Sequence, residues 1–231
     1  MNEAFKRIII DIKDIQKSPI ENIYYFPDED NILNGFALII GPPGTPYEYG
    51  NFLFEFSFPK TYPYKPPKVI YKSNDGTTRF NPNLYRSGKV CLSILNTWSG
   101  DQWSACQTIR SVLLTLQTTL NEMPLLNEPG VDEKLHIASI LRYNKMVHFK
   151  SLEFTILYYM KNNDKIPIQE QNIIDAIKEQ YNKNKHEILK STLAFTSGLE
   201  TETLHTQMYD MKMILNYKNL YDKMKTFINK N

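Results

Sequence analysis

Apolar positions along the chain change period several times, and each change marks an element. Residues 3–16 carry Phe5, Ile8, Ile12 and Ile15 at helical spacing, with Lys6, Lys13 and Lys17 on another face. Ser18-Pro19 closes that helix. Three strands are predicted next, over 22–26, 32–40 and 52–58. In the third, Phe52, Phe54, Phe56 and Phe58 alternate onto one face. A fourth strand is predicted at 68–72. The connections, among them Asp28-Glu29-Asp30-Asn31 and Gly41-Pro42-Pro43-Gly44, are too short for crossover helices, so the strands form an antiparallel meander. Its aromatic face requires helices to cover it.

Helical periodicity returns at 107–120, where Ile109, Val112, Leu113, Leu116 and Leu120 form a stripe. Pro124 ends it, and Asn127-Glu128-Pro129-Gly130 reads as a loop. A third helix is predicted over 138–160. Beyond Lys161-Asn162-Asn163-Asp164, residues 170–183, 186–195 and 203–228 read as polar helices, the last with Leu204, Met208, Met211 and Leu215 as its apolar stripe. Gly198 separates two of them. The reading is an α+β chain with a core domain at 1–164 and a helical extension at 165–231. The extension is too small to bury enough surface alone and is expected to dock on the core.

Composition narrows the function classes. Hydrophobic residues make up 42% of the 231 and charged residues 23%, an ordinary globular balance. A net charge of +2 gives no electrostatic case for nucleic acid or membrane binding. Two cysteines argue for a reducing compartment rather than a disulfide scaffold. The start, MNEAFKRIII, lacks a signal-peptide pattern, and no apolar run is long enough to span a bilayer. An intracellular protein, cytoplasmic or nuclear, is the expectation. His136, His148, His186 and His205 are scattered and are read as structural or solvated. With no zinc spacing or Walker loop, no metal or organic cofactor is implied.

Candidate chemistry concentrates in RFNPNLYRSGKVCLSILNTWSGDQWS, residues 79–104. Asn81-Pro82-Asn83 precedes Cys91 by a short stretch containing the Ser87-Gly88 turn. Flanking turn residues place Cys91 on a surface loop, although a free cysteine is more often a small buried hydrophobe. A thiol with an amide donor just upstream is a plausible acyl-transfer pair. Trp98 and Trp103 close the stretch, and Trp98 is expected to pack on its own fold.

The same stretch resembles the active-site segment of ubiquitin-conjugating enzymes: His-Pro-Asn, seven residues, then the acceptor cysteine and a leucine. Here it reads Asn81-Pro82-Asn83, seven residues, Cys91-Leu92. The likeness extends to GPPGTPYEYGNF at 41–52, FPKTYPYKPPKV at 59–69 and QWSACQTIRSVLLTL at 102–116, and it is strongest to the larger members. It implies the ubiquitin-conjugating-enzyme fold and an acyltransferase. Such an enzyme accepts ubiquitin or a ubiquitin-like modifier from an activating enzyme as a thioester on Cys91, then passes it to a lysine or a ligase.

Residue by residue, the resemblance assigns Cys91 as acceptor, Asn83 as oxyanion donor or loop brace, and Glu128 as the acidic residue beside the thioester, with Asn127 the competing alignment. Lys6 and Arg7 match the basic contacts of the first helix to the activating enzyme and ligase. Tyr64, Ala105 and Cys106 fall on the two loops that meet RING or HECT ligases. Three departures stand out: Asn81 replaces the usual His, Ile10 a frequent Lys, and Ala105 the usual Pro. Tyr24 aligns with a first-strand Ser through which small members bind a second ubiquitin, which implies that this chain does not. The absence of a histidine next to Cys91 argues against a cysteine protease. A catalytically silent module with the same fold is the alternative from another class, and such members lack the cysteine.

Overall fold

The computed structural model describes residues 3–198 and 201–230. Helix α1 (Glu3–Lys17) buries Ala4, Ile8, Asp11 and Ile15, while Phe5 and Ile12 of the anticipated stripe are half-buried. Strands β1 (Ile23–Pro27), β2 (Asn34–Ile40), β3 (Asn51–Ser57) and β4 (Lys68–Tyr71) pair antiparallel in the order β1-β2-β3-β4. The register opposes Ala37 to Phe54 and Phe54 to Tyr71. One face of the sheet therefore carries Ala37, Ile39, Phe52, Phe54, Phe56 and Tyr71, all buried in the main core. Helix α2 (Ile109–Thr119) inserts Ile109, Val112, Leu113 and Leu116 into the same core. Its first turn is fixed by a capping box in which the Thr108 hydroxyl and Ser111 satisfy each other's N–H groups.

The third helix starts earlier than the periodicity indicated. Asp132 accepts from Leu135 N, and this N-cap opens α3 (Glu133–Lys150) before the apolar stripe begins. The helix runs on through a π-helical stretch, Ser151–Tyr158, into a last turn, α4 (Tyr159–Lys161). There the Thr155 carbonyl accepts from the Asn51 side-chain amide at 2.7 Å, and its hydroxyl accepts from Asn51 N at 3.1 Å. The wider turn thus ties the helix to β3.

The extension departs most from expectation. Residues 170–195 form one helix, α5 (Gln171–Ala194), not two. Residues 203–215, expected to be helical, form a hairpin of β5 (Glu202–Thr206) and β6 (Met211–Leu215), and only α6 (Tyr217–Lys230) keeps the predicted helix. The cause lies in a second period within the same residues. Leu204 and Thr206 oppose Met213 and Met211 on the inner face, so alternation wins over the coincidental three-and-four spacing.

Residues on both sides of position 164 share their hydrophobic clusters. Ile166, Ile168, Ile173, Ile174 and Ile177 cover Leu38, Ile40 and Leu53 on the second sheet face. Tyr24 lies under the same helix, its hydroxyl accepting from Gln180 Nε2 at 2.6 Å. Tyr181, Ile188, Met211, Leu215, Tyr217, Leu220 and Met224 join the main core. Among the described residues, no helix is long and apolar enough to cross a membrane.

Candidate active site

The Asn81-Pro82-Asn83 segment leaves the core through a fully buried side chain. Asn81 Nδ2 donates to the Tyr47 hydroxyl at 2.8 Å and to Thr119 O at 2.7 Å. Its Oδ1 accepts from Asn83 N at 2.8 Å. An amide offers two donors and an acceptor in one plane, and here all are engaged. Tyr47 in turn donates to Phe80 O at 2.7 Å. Asn81 thus pins the loop to the end of α2 and to residue 47.

Asn83 then grips the cysteine from two sides. Its Nδ2 donates to Cys91 O at 2.8 Å, and the Cys91 N–H donates to Asn83 O at 2.9 Å. One N–H of the Asn83 amide is used in this way, and an amide nitrogen carries two.

Cys91 sits on a loop, as anticipated, but not at the surface: it is 3% exposed. Its thiol donates to Thr97 O at 3.0 Å. The Thr97 hydroxyl accepts from Leu92 N at 2.9 Å and donates to Val90 O at 2.9 Å. The segment after the cysteine, Ser93–Leu95 in 3-10 form and then Asn96 at φ 57°, folds back and brings Thr97 over the thiol. Burial therefore comes from a neighbour six residues on, which flanking turn residues do not reveal. Trp98 also departs from expectation. It is 43% exposed, while Trp103 is buried, donating to Pro63 O at 2.6 Å and lying against Tyr62.

Glu128 caps the 3-10 turn Pro124–Asn127. Its Oε2 accepts from the Tyr209 hydroxyl at 2.5 Å, a partner from the turn between β5 and β6. Asn127, the competing alignment, has its amide tied to Thr119 O at 3.2 Å and to Asn121 at 3.1 Å. Thr119 O, shared by Asn81 and Asn127, joins the two loops. Arg79 adds a second link: its Nε and Nη2 donate to Asn81 O and Pro82 O at 3.1 and 2.7 Å. Its guanidinium lies 3.4 Å from the Tyr85 ring centre and 5.0 Å from that of Tyr209. Tyr47, Arg79, Thr97 and Tyr209 were not singled out from the sequence, and each acts through a contact with a residue distant in the chain or across a folded loop.

The residues assigned to partners converge elsewhere. Tyr64 is 65% exposed, with its hydroxyl on Glu3 Oε1 at 2.8 Å. Lys6, Ala105 and Cys106 are exposed beside it, as is Ile10. Arg7 is engaged within the chain. It donates to Asp11 Oδ1, Ala105 O and Gln107 O at 2.9, 3.0 and 2.7 Å, and so holds the 104–107 loop against α1. Asp11, 3% exposed, also accepts from the Tyr62 hydroxyl and from Ile109 N at the start of α2. A carboxylate at that helix end is favoured.

Comparisons with known proteins show the family. The ubiquitin-conjugating enzyme family matches residues 7–153. Ubiquitin-conjugating enzyme E2 Z of Xenopus tropicalis is 32% identical over 226 residues, 97% of this chain and 71% of its own length. The Danio rerio protein of that name is 36% identical over 91% of this chain and 61% of its own length. The Homo sapiens protein is 41% identical over 71% of this chain. This chain spans only 47% of that human relative. The matched region takes in all four strands of the sheet and the whole Asn81–Cys91 loop, and the chain therefore belongs to the ubiquitin-conjugating enzyme family.

Proposed function

We propose that the chain accepts activated ubiquitin, or a ubiquitin-like modifier, as a thioester on Cys91 and passes it to a substrate lysine or a ligase cysteine. The observation that carries this reading is the double hydrogen bond between Asn83 and Cys91. It fixes the cysteine backbone, and among the described residues the second amide N–H of Asn83 has no partner, which leaves it to the oxygen of a tetrahedral intermediate. The thiol's own partner is a carbonyl, Thr97 O, rather than a histidine ring, which suits a carrier more than a hydrolase.

In loading, the Cys91 thiolate attacks the thioester carbonyl presented by the activating enzyme and expels that enzyme's thiolate. In discharge, a lysine amine attacks the Cys91 thioester, loses a proton, and expels the Cys91 thiolate. Both steps use sulfur as a good nucleophile and leaving group. Glu128 is the residue proposed to orient the incoming ammonium and favour its deprotonation. Lys6, Tyr64, Ala105 and Cys106 form the surface proposed for the activating enzyme and RING or HECT ligases, with Arg7 bracing it. We take residues 1–164 as the conjugating domain and 165–231 as its docked extension.

The test is charging with activating enzyme, ubiquitin and ATP. Cys91→Ala abolishes the reductant-sensitive adduct, and Cys106→Ala retains it. Cys106 is a demanding control because it is the exposed cysteine of the two. An adduct persisting in the Cys91 variant would falsify the assignment. No adduct in the unaltered chain, across ubiquitin and ubiquitin-like modifiers, would favour a silent binding module.

A further inference from the structure

The turn between β5 and β6 has an unusual backbone. Tyr209 adopts φ 65°, ψ 5°, and Asp210 follows at φ 45°. Left-handed geometry is rare for a bulky L residue and persists where its surroundings over-determine it. The surroundings here are all on the active-site side. The Tyr209 carbonyl accepts from Arg86 Nη2 at 2.7 Å. Its ring lies against Arg79 and Tyr143, and Tyr143 donates to Arg79 O at 2.7 Å. Met211 Sδ accepts from Arg79 N at 3.2 Å. With Asp210 held within the hairpin by His205 at 3.0 Å, the turn presents the Tyr209 hydroxyl to Glu128 Oε2 at 2.5 Å. Among the described residues, no other hydrogen bond to that carboxylate is formed.

We infer that Tyr209 is a positioning residue for lysine attack: it holds the Glu128 carboxylate in one orientation, so that the extension completes the conjugating site. The inference rests on the proposed role of Glu128. A glutamate on a loop has three rotatable bonds and ordinarily samples many positions. A single strong donor on one oxygen leaves the other oxygen directed and available to an ammonium group. The Tyr209 phenol stays protonated for this task, since burial, then the Glu128 carboxylate, raise its pKa. The guanidinium of Arg79, stacked between Tyr85 and Tyr209, couples the same turn to the Asn81-Pro82 backbone.

The experiment separates this role from simple bracing by changing the nucleophile. The Cys91 thioester of the full chain is formed, isolated, and discharged to free lysine or to hydroxylamine, which is neutral at assay pH and needs no carboxylate to receive it. Tyr209→Phe removes the hydroxyl and keeps the ring over Arg79. The expected result is normal loading, unchanged hydroxylamine discharge, and lysine discharge slowed about tenfold, the scale of one lost hydrogen bond to a charged group. Glu128→Gln shows the same selective defect. The double variant is no slower than the worse single, because both act through one carboxylate. Unchanged lysine discharge in Tyr209→Phe overturns the inference. So does a variant that loses both discharge reactions in proportion, which makes Tyr209 merely structural. A Glu128→Gln variant with normal lysine discharge refutes the role of Glu128 and the inference with it. Failure of the unaltered chain to form a thioester overturns the reading of Cys91 itself and is visible at the loading step.

Discussion

Asn83 and Cys91 hold each other by two hydrogen bonds, side-chain amide to carbonyl at 2.8 Å and cysteine N–H to asparagine carbonyl at 2.9 Å. The first is lost in Asn83→Ala and the second is kept. Removing one net hydrogen bond costs about 1 kcal/mol, so the melting temperature is expected to fall by only roughly 2–4 °C. Loading should survive, since the activating enzyme brings its own environment. Lysine discharge should fall by about 10²–10³, as when an oxyanion donor is removed. Single-turnover rates for the two steps decide it, and equal losses in both would reduce Asn83 to a brace.

Asn81 tests the tolerance of the loop. With three hydrogen bonds and no exposure, Asn81→Ala leaves several buried groups short of partners. The expected cost is about 2–3 kcal/mol, or roughly 5–10 °C in melting temperature. Asn81→His can replace only part of the network, because an imidazole has two polar atoms. It should keep activity to within a few-fold. If the unaltered chain were inactive and Asn81→His restored charging, the natural loop would have to be regarded as impaired.

The second sheet face gives a prediction about binding. Tyr24 alone suggested that a second ubiquitin would be obstructed there. The structure adds a stronger reason, since α5 covers Leu38, Ile40 and Leu53 and bonds Tyr24 through Gln180. An NMR titration with ubiquitin should show no shifts around Tyr24. Ile177→Ala, in that same interface, should cost about 2–5 kcal/mol. Truncation after Asp164 should expose the whole face and lower solubility. An unchanged melt with unchanged charging after truncation would make the extension an independent tether.

Glu48 predicts a pH dependence of the docking. Its Oε2 accepts from Gly44 N at 3.2 Å, and its Oε1 accepts from Ser191 of α5 and lies 3.8 Å from His148 Nε2. Burial alone raises its pKa, but the nearby His148 and the hydrogen bonds from Ser191 and Gly44 outweigh it and bring the carboxyl below its ordinary 4.5. A folded-state pKa below the unfolded value means that the contribution is present above 4.5 and is lost as pH falls through the folded value. Unfolding curves of the unaltered chain and Glu48→Gln should therefore differ near neutrality and converge in acid. A gap independent of pH would remove Glu48 from the account.

How much of this was legible in the sequence follows from the range of each interaction. The meander was readable because alternation at Phe52, Phe54 and Phe56 is local and strong, and α2 because its apolar stripe is local too. The asparagines and the cysteine were readable as a spaced motif. The hairpin was not, since Leu204, Met208, Met211 and Leu215 fit a helical period, and the pairing of Leu204 and Thr206 with Met213 and Met211 is set by packing on α3. The burial of Cys91 was hidden because it depends on Thr97 folding back. The bond between Tyr209 and Glu128 joins side chains 81 positions apart, and no local pattern announces such a pair.

Separation in sequence also bears on how the chain matures. The Arg79 N–H finds its acceptor, Met211 Sδ, 132 residues further along, and the guanidinium of the same arginine waits for Tyr209 as one of its two aromatic neighbours. Closing so large a loop costs entropy before any contact repays it, and contacts of this span slow folding. During synthesis the cysteine loop leaves the ribosome well ahead of the strand that finishes it. A nascent chain therefore carries Arg79 without its Met211 partner until β6 has emerged.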